Sequence, residues 1–177
     1  MSIKHKVCLL GASGVGKTSL VRRFVRSMFL EQYRTTVGVV IERKQVRRRG
    51  QDVDLVVWDL SGEDEFQHVR TNYVQGASGY LLVVDGTRAS TLETARVLQA
   101  AVLSVVGPVP FVLALNKVDL IESWDLDRRT FDPLANAAQA VFETSAKTGA
   151  GVEDAFGALV EAILAERAAE NDARDVR

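Results

Sequence analysis

The chain has 177 residues, 47 % hydrophobic and 25 % charged, which is the composition of one globular domain with a full core. A net charge of −1 and a pI near 6.1 supply no overall pull toward nucleic acid or an anionic membrane, so no nucleic-acid partner is expected. The single cysteine, Cys8, excludes an intrachain disulfide and agrees with a reducing cytoplasm, and no apolar run approaches the ~18 residues of a membrane span.

The first strand is predicted over Lys4–Leu10, where Val7–Leu10 is a short continuous apolar run and Cys8 reads as a small buried apolar residue. The octet Gly11-Ala12-Ser13-Gly14-Val15-Gly16-Lys17-Thr18 follows, and Ser19–Phe24 has helical apolar spacing, so a helix begins near Gly16. Val37–Arg48 and Asp52–Asp59 are long β-rich segments with only Arg49-Gly50 to turn on, which predicts one antiparallel hairpin. Arg43, Lys44, Arg47, Arg48 and Arg49 make its turn basic, as suits a solvated edge that discourages pairing between sheets; an acidic partner or lipid surface is the alternative. A helix is expected from about Asp64, a strand over Gly79–Asp85, and a helix opened by the capping box Ser90-Thr91-Leu92-Glu93. Phe111–Asn116 is another apolar strand, Asp132-Pro133 supplies an N-cap and an N1 proline for a short helix, and Val141–Thr144 is the last strand. The final helix begins near Val152 and carries Phe156, Leu159, Ile163 and Leu164 on one face, after which Ala168–Arg177 is a polar tail expected to fray. Apolar runs without alternation, such as Tyr80–Val84, mark strands covered on both faces, so the fold class is α/β.

The octet stands where phosphate binding needs it, between a buried strand and a helix N-terminus. Its glycines let successive N–H groups turn inward as an anion nest, and the helix adds its positive dipole end. Lys17 would reach the β- and γ-phosphates of a bound polyphosphate, and the Thr18 hydroxyl would sit on Mg²⁺. Trp58-Asp59-Leu60-Ser61-Gly62 ends the third strand: Asp59 can hold Mg²⁺ through a water, and Gly62 can bring its N–H against a γ-phosphate. Asn116-Lys117-Val118-Asp119 closes another buried strand. A carboxylate at Asp119 can accept from both N1–H and the exocyclic amine of guanine, and the Lys117 stem can lie along the ring. Ser145-Ala146-Lys147 could present a backbone N–H to the guanine O6.

With these motifs in this order, the chain resembles a small GTPase of the Ras superfamily, closest to its Rab and Ras branches. The residues that carry the resemblance are Gly11–Thr18, Thr36-Val37-Gly38, Trp58–Gly62, Asn116–Asp119 and Glu143–Gly149. It implies a P-loop NTPase three-layer sandwich, a mostly parallel six-stranded sheet with one antiparallel edge strand and about five helices, in one G domain over residues 3–167 with 168–177 as the tail. It implies GTP/GDP and Mg²⁺ as cofactors, bound by Gly11, Ser13, Gly14, Val15, Gly16, Lys17, Thr18 and Ser19, by Asn116, Lys117 and Asp119, and by Ser145, Ala146 and Lys147. Phe29 would stack near the guanine, Tyr33 and Thr36 would lie in the first switch, and Gly62 to about Tyr73 would be the second. Thr36 would join Thr18 and Asp59 on Mg²⁺ only with GTP bound, and Lys17, Thr36, Gly62 and Glu63 would serve hydrolysis. Effectors, an exchange factor and a GTPase-activating protein would read these loops.

The chain departs from the family pattern at Glu63, where the family usually has a Gln that orients the attacking water. The tail Asn171–Arg177 has no cysteine for prenylation and the start has no glycine for myristoylation, so no lipid anchor is expected and membrane contact would be indirect. The expectation is a cytoplasmic GTP-binding switch with slow hydrolysis; the alternative is a GTP-binding scaffold that does not hydrolyse.

Overall fold

The computed structural model describes residues 3–27, 38–60 and 71–175. The described strands are β1 (Ile3–Leu10), β2 (Val39–Arg48), β3 (Gln51–Leu60), β4 (Gly79–Asp85), β5 (Phe111–Asn116) and β6 (Ala140–Thr144). They form one sheet in the order β2-β3-β1-β4-β5-β6, in which only the β2–β3 pair is antiparallel. The described helices are α1 (Lys17–Arg26), α2 (Thr71–Val74), α3 (Ser90–Val106), α4 (Arg128–Ala137) and α5 (Val152–Asp175), with a 3₁₀ segment over Val118–Ser123. This is the expected mostly parallel six-stranded α/β sandwich of the Ras-like P-loop GTPase fold. The expected helix start at Asp64 lies outside the described residues.

Apolar side chains alternate along the strands onto two cores. On one face Val7, Leu9, Leu55, Val57, Leu81 and Val83 meet Leu20 and Phe24 of α1 and Phe156, Leu159 and Ile163 of α5. On the other, Leu10, Tyr80, Leu82, Val84 and Leu113 meet Leu92, Leu98 and Val102 of α3 and Leu134 of α4. Every residue of β4 and β5 is buried, which is why those strands read as continuous apolar runs. Phe24 and Phe156 stack with centroids 3.9 Å apart and tie α1 to α5. Cys8 lies in this interior, and burial pushes its thiol up to about 12, so it stays protonated and inert.

Arg49 and Gly50, both at positive φ, close the β2–β3 hairpin with Arg48 opposite Gln51, a two-residue turn as expected. The basic residues of that hairpin do not share one face. Arg43, Arg47 and Arg49 are exposed. Lys44 turns to α1 and α5, donating to the Phe24 carbonyl at 2.5 Å and to Glu153 at 2.7 Å, and the Arg48 guanidinium lies over Gly157.

Three local expectations are corrected. Helix α4 starts at Arg128, one turn before the Asp132-Pro133 pair, because Asp127 supplies the same capping chemistry earlier: its Oδ1 accepts from Arg129 N at 2.9 Å. That start lets Phe131 and Leu134 pack on the sheet and leaves Pro133 inside the helix at an exposed position. Ser90 does not form a capping box, since α3 is entered from Ala89, already helical. Thr91 turns inward instead, its Oγ1 accepting from Asp85 N at 3.0 Å and donating to Arg88 O at 2.8 Å. Helix α5 continues to Asp175 through the tail expected to fray, as the helix-favouring run Ala165–Glu170 permits.

His5 on β1 is fully buried, with Nδ1 3.2 Å from Ser78 Oγ, and among the described residues Nε2 has no hydrogen-bond partner. Burial, and then the charge of Arg167, hold its pKa below the ordinary value. Because the folded pKa is depressed, the unfolded chain takes up the proton first, so His5 contributes stability above about pH 6.5 that is lost as the pH falls below it. Chemical denaturation of the native chain at pH 7.5 and 5.5 should show a loss of stability that His5→Leu diminishes. An equal loss in both proteins would clear His5 of the effect.

Candidate functional site

The carboxyl ends of the strands gather the chemistry at one edge of the sheet. Leu10 runs into the octet, β3 delivers Asp59, β4 ends on Asp85, β5 on Asn116 and β6 on Thr144; Asp85 pairs with Asn116 and Asn116 with Thr144 in the strand register. In a doubly covered parallel sheet this edge is where a ligand crevice forms.

The octet makes a loop that opens α1, with Gly16 at the helix N-cap in the left-handed region, φ 104°. Lys17 is buried and its Nζ donates to Gly11 O at 2.5 Å and Ala12 O at 2.9 Å, so the loop's own carbonyls hold the ammonium at its mouth. Thr18 Oγ1 donates to Asp59 Oδ2 at 2.5 Å. Asp59 is 1 % exposed and, among the described residues, its Oδ1 has no hydrogen-bond partner. Burial raises the Asp59 pKa against the opposing pull of Thr18, Lys17 and Arg22. Two hard oxygen donors side by side, one with an unsatisfied buried lone pair, fit a small divalent cation such as Mg²⁺.

Asn116 latches the octet to the end of β6. Its Nδ2 donates to Val15 O at 2.8 Å, and its Oδ1 accepts from Thr144 Oγ1 at 3.1 Å. Asp119 is exposed at the start of the 3₁₀ segment, and its Oδ1 accepts from Ser145 Oγ at 2.6 Å; Ser145 Oγ in turn accepts from Thr148 N at 3.1 Å. Lys117 adopts φ 73° and its Nζ donates to Asp85 Oδ2 at 2.6 Å. Ala146 is buried and Lys147 exposed, while Ser13, Gly14 and Ser19 are half-buried along the octet and α1.

The Ras family model matches residues 6–165. The chain belongs to the Ras family. It is 34 % identical over 161 residues to the Ras-related protein Rab-13 of Rattus norvegicus, covering 90 % of this chain and 79 % of that protein. The Ypt/Rab-type GTPase YPT7 of Saccharomyces cerevisiae is 34 % identical over 95 % of this chain and 85 % of its own length. The GTP-binding protein Rheb homolog of Dictyostelium discoideum is 33 % identical over 90 % and 88 %. The chain is thus a small GTPase of the Ras superfamily, a family of GTP-binding switches.

In this small GTPase the octet, Asp59, Asn116–Asp119 and Ser145–Lys147 lie at one edge of the sheet, joined by the Thr18–Asp59, Asn116–Val15 and Ser145–Asp119 bonds. Phe29, Tyr33, Thr36, Gly62 and Glu63, and the second-switch stretch up to residue 70, lie outside the described residues. The structure also adds residues that the motifs do not contain. Arg23 of α1 clamps the Ser145–Lys147 loop, Nε donating to Ala146 O at 2.7 Å and Nη2 to Lys147 O at 2.5 Å. Trp124 Nε1 donates to Lys117 O at 3.0 Å. Asp85 takes Lys117, Thr87 and Arg88. The one signal that could have found Asp85 is a charge closing an otherwise apolar strand at the edge where the other motifs end.

Among the described residues, no helix is long and apolar enough to cross a membrane.

Proposed function

We propose that this chain is a cytoplasmic, Mg²⁺-dependent switch that binds GTP and GDP, hydrolyses GTP slowly on its own, and is read by effectors, an exchange factor and a GTPase-activating protein. The observation that carries the reading is the bond from Asn116 Nδ2 to Val15 O at 2.8 Å, which joins the Asn116–Asp119 segment directly to the octet. Lys17 would give up the Gly11 and Ala12 carbonyls for β- and γ-phosphate oxygens. Thr18 and Asp59 would hold Mg²⁺, with Thr36 added in the GTP state. Bound there, the ion neutralises phosphate charge. Gly11, Ser13, Gly14, Val15 and Gly16 of the octet, with Ser19 of α1, would cradle the phosphates. Asp119 would select guanine, Lys117 and Phe29 would cover its ring, Ser145, Ala146 and Lys147 would meet O6, and Tyr33 would close the first switch over the nucleotide. Catalysis is then positioning and charge stabilisation, with Gly62 N–H on the γ-phosphate. The G domain would be residues 3–167.

Glu63 separates this reading from a GTP-binding scaffold. An ionised Glu63 accepts a hydrogen bond from the attacking water but lacks the amide donor of a Gln, and its charge faces a polyanion. Glu63-Asp64-Glu65 concentrates that charge, which is what favours the scaffold. Single-turnover hydrolysis with Mg²⁺ should run on the order of 10⁻⁴ to 10⁻³ s⁻¹, the scale of unassisted Ras itself. Glu63→Ala should be slower and Glu63→Gln at least as fast as the native chain. GTP that persists unchanged over a day would establish the scaffold, and an alanine variant as fast as the native protein would remove Glu63 from the mechanism.

A further inference from the structure

Asp85 is fully buried at the end of β4, and none of the nucleotide motifs contains it. Its Oδ2 accepts from Lys117 Nζ at 2.6 Å and from Arg88 Nε at 2.9 Å, and its Oδ1 from Thr87 N at 2.9 Å and Thr87 Oγ1 at 2.7 Å. A carboxylate this deep is tolerated only when donors surround it, and here they do. Arg88 then crosses to the phosphate loop, where its Nη2 donates to Ser13 O at 2.6 Å. The far side of Lys117 is fixed as well. Its carbonyl accepts from Trp124 Nε1, and Gly86 leaves room for the indole, which a Cβ at that position would strike.

Lys117 is therefore held at its ammonium by Asp85 and at its backbone by Trp124, in a left-handed conformation that a non-glycine residue keeps only under constraint. Two cations share one carboxylate oxygen. Remove the negative charge and Lys117 and Arg88 repel each other, one belonging to the base loop and the other bonded to the phosphate loop at Ser13.

We propose that Asp85 is a positioning residue for the guanine nucleotide, coupling the base loop at Lys117 to the phosphate loop at Ser13 through Arg88, so that release requires both loops to loosen together. The inference rests on the guanine-nucleotide reading given above. It makes an off-rate, rather than hydrolysis, the quantity that Asp85 controls.

The test follows release of fluorescent GDP, and of the inosine diphosphate analogue that lacks the exocyclic amine, from the full chain. Asp85→Asn should speed GDP release by about 10- to 100-fold, because two charged hydrogen bonds are weakened and two cations are left facing each other. Arg88 is 45 % exposed, so Arg88→Ala keeps the fold and should speed release by about 3- to 10-fold. The double variant should release no faster than Asp85→Asn alone, since both substitutions cut one connection. Arg88→Ala should also narrow the difference between GDP and the inosine analogue by about 2- to 5-fold, although Arg88 bonds only to the phosphate loop and Asp85. A merely structural role would leave that base preference unmoved. Additive rate effects, or a base preference equal to the native one in Arg88→Ala, overturn the coupling while the native chain still retains GDP. A native chain that retains neither nucleotide overturns the guanine reading and the coupling with it.

Discussion

Asp119→Asn should weaken GDP and GTP binding by about 10³-fold or more and create affinity for xanthine nucleotides, because a site built around buried-type hydrogen bonding rejects a mismatched partner by ~10⁴–10⁵. The hydrogen bonds around Asp119 determine the direction of the change. Ser145 Oγ accepts from Thr148 N, so its own proton points to Asp119 Oδ1 at 2.6 Å. An amide at position 119 keeps that bond only by turning its oxygen to Ser145, which sends the NH₂ outward toward the base. Guanine presents donors there and is repelled; the C2 carbonyl of xanthine accepts. The fold should be unaffected, since Asp119 is exposed and its neighbour bond survives. Competition titration of GDP against xanthosine diphosphate measures the switch. Unchanged GDP affinity would remove Asp119 from base recognition.

The parts of the site that the sequence exposes are those whose chemistry is local. Gly11–Thr18 and Asn116–Asp119 each need only a few consecutive residues after an apolar strand, and both fall where that logic puts them. The hairpin was legible for the same reason, because Arg49-Gly50 allows no other connection. Arg88, Arg23 and Trp124 were not, since each works through a backbone carbonyl that the fold brings to it. Arg88 reaches Ser13 across 75 positions and Arg23 reaches Ala146 across 123. No spacing rule encodes such contacts, because a carbonyl acceptor is present at every residue. The start of α4 was misplaced by a genuine capping signal. Asp132-Pro133 has the right chemistry, but Asp127 has it too and also lets Phe131 reach the core, so packing chose between two local solutions.

Gly16→Ala should cost about 30- to 1000-fold in GDP affinity, roughly 2–4 kcal/mol. Gly16 sits at φ 104°, and a left-handed conformation costs an alanine about 1–2 kcal/mol. The new Cβ would also meet the Asn116 amide nitrogen head on. Asn116 is 2 % exposed, and pushing it aside breaks its bonds to Val15 O and Thr144 Oγ1, leaving buried polar groups unpaired at about 1–3 kcal/mol. Without nucleotide the loop can relax away from Asn116, so the melting temperature of the nucleotide-free chain should fall by less than the affinity loss implies. Binding must restore the tight arrangement, and the cost then appears in affinity. Gly14→Ala provides the control. Gly14 also has a positive φ, 71°, but among the described residues a Cβ there meets only Arg88 Nη2 at 3.4 Å, the far end of a flexible side chain. It bears the backbone strain without disturbing Asn116, and should lose about 5- to 30-fold. Equal losses in the two variants would mean that backbone strain alone is responsible, and that the Asn116 latch does not transmit loop geometry to the nucleotide.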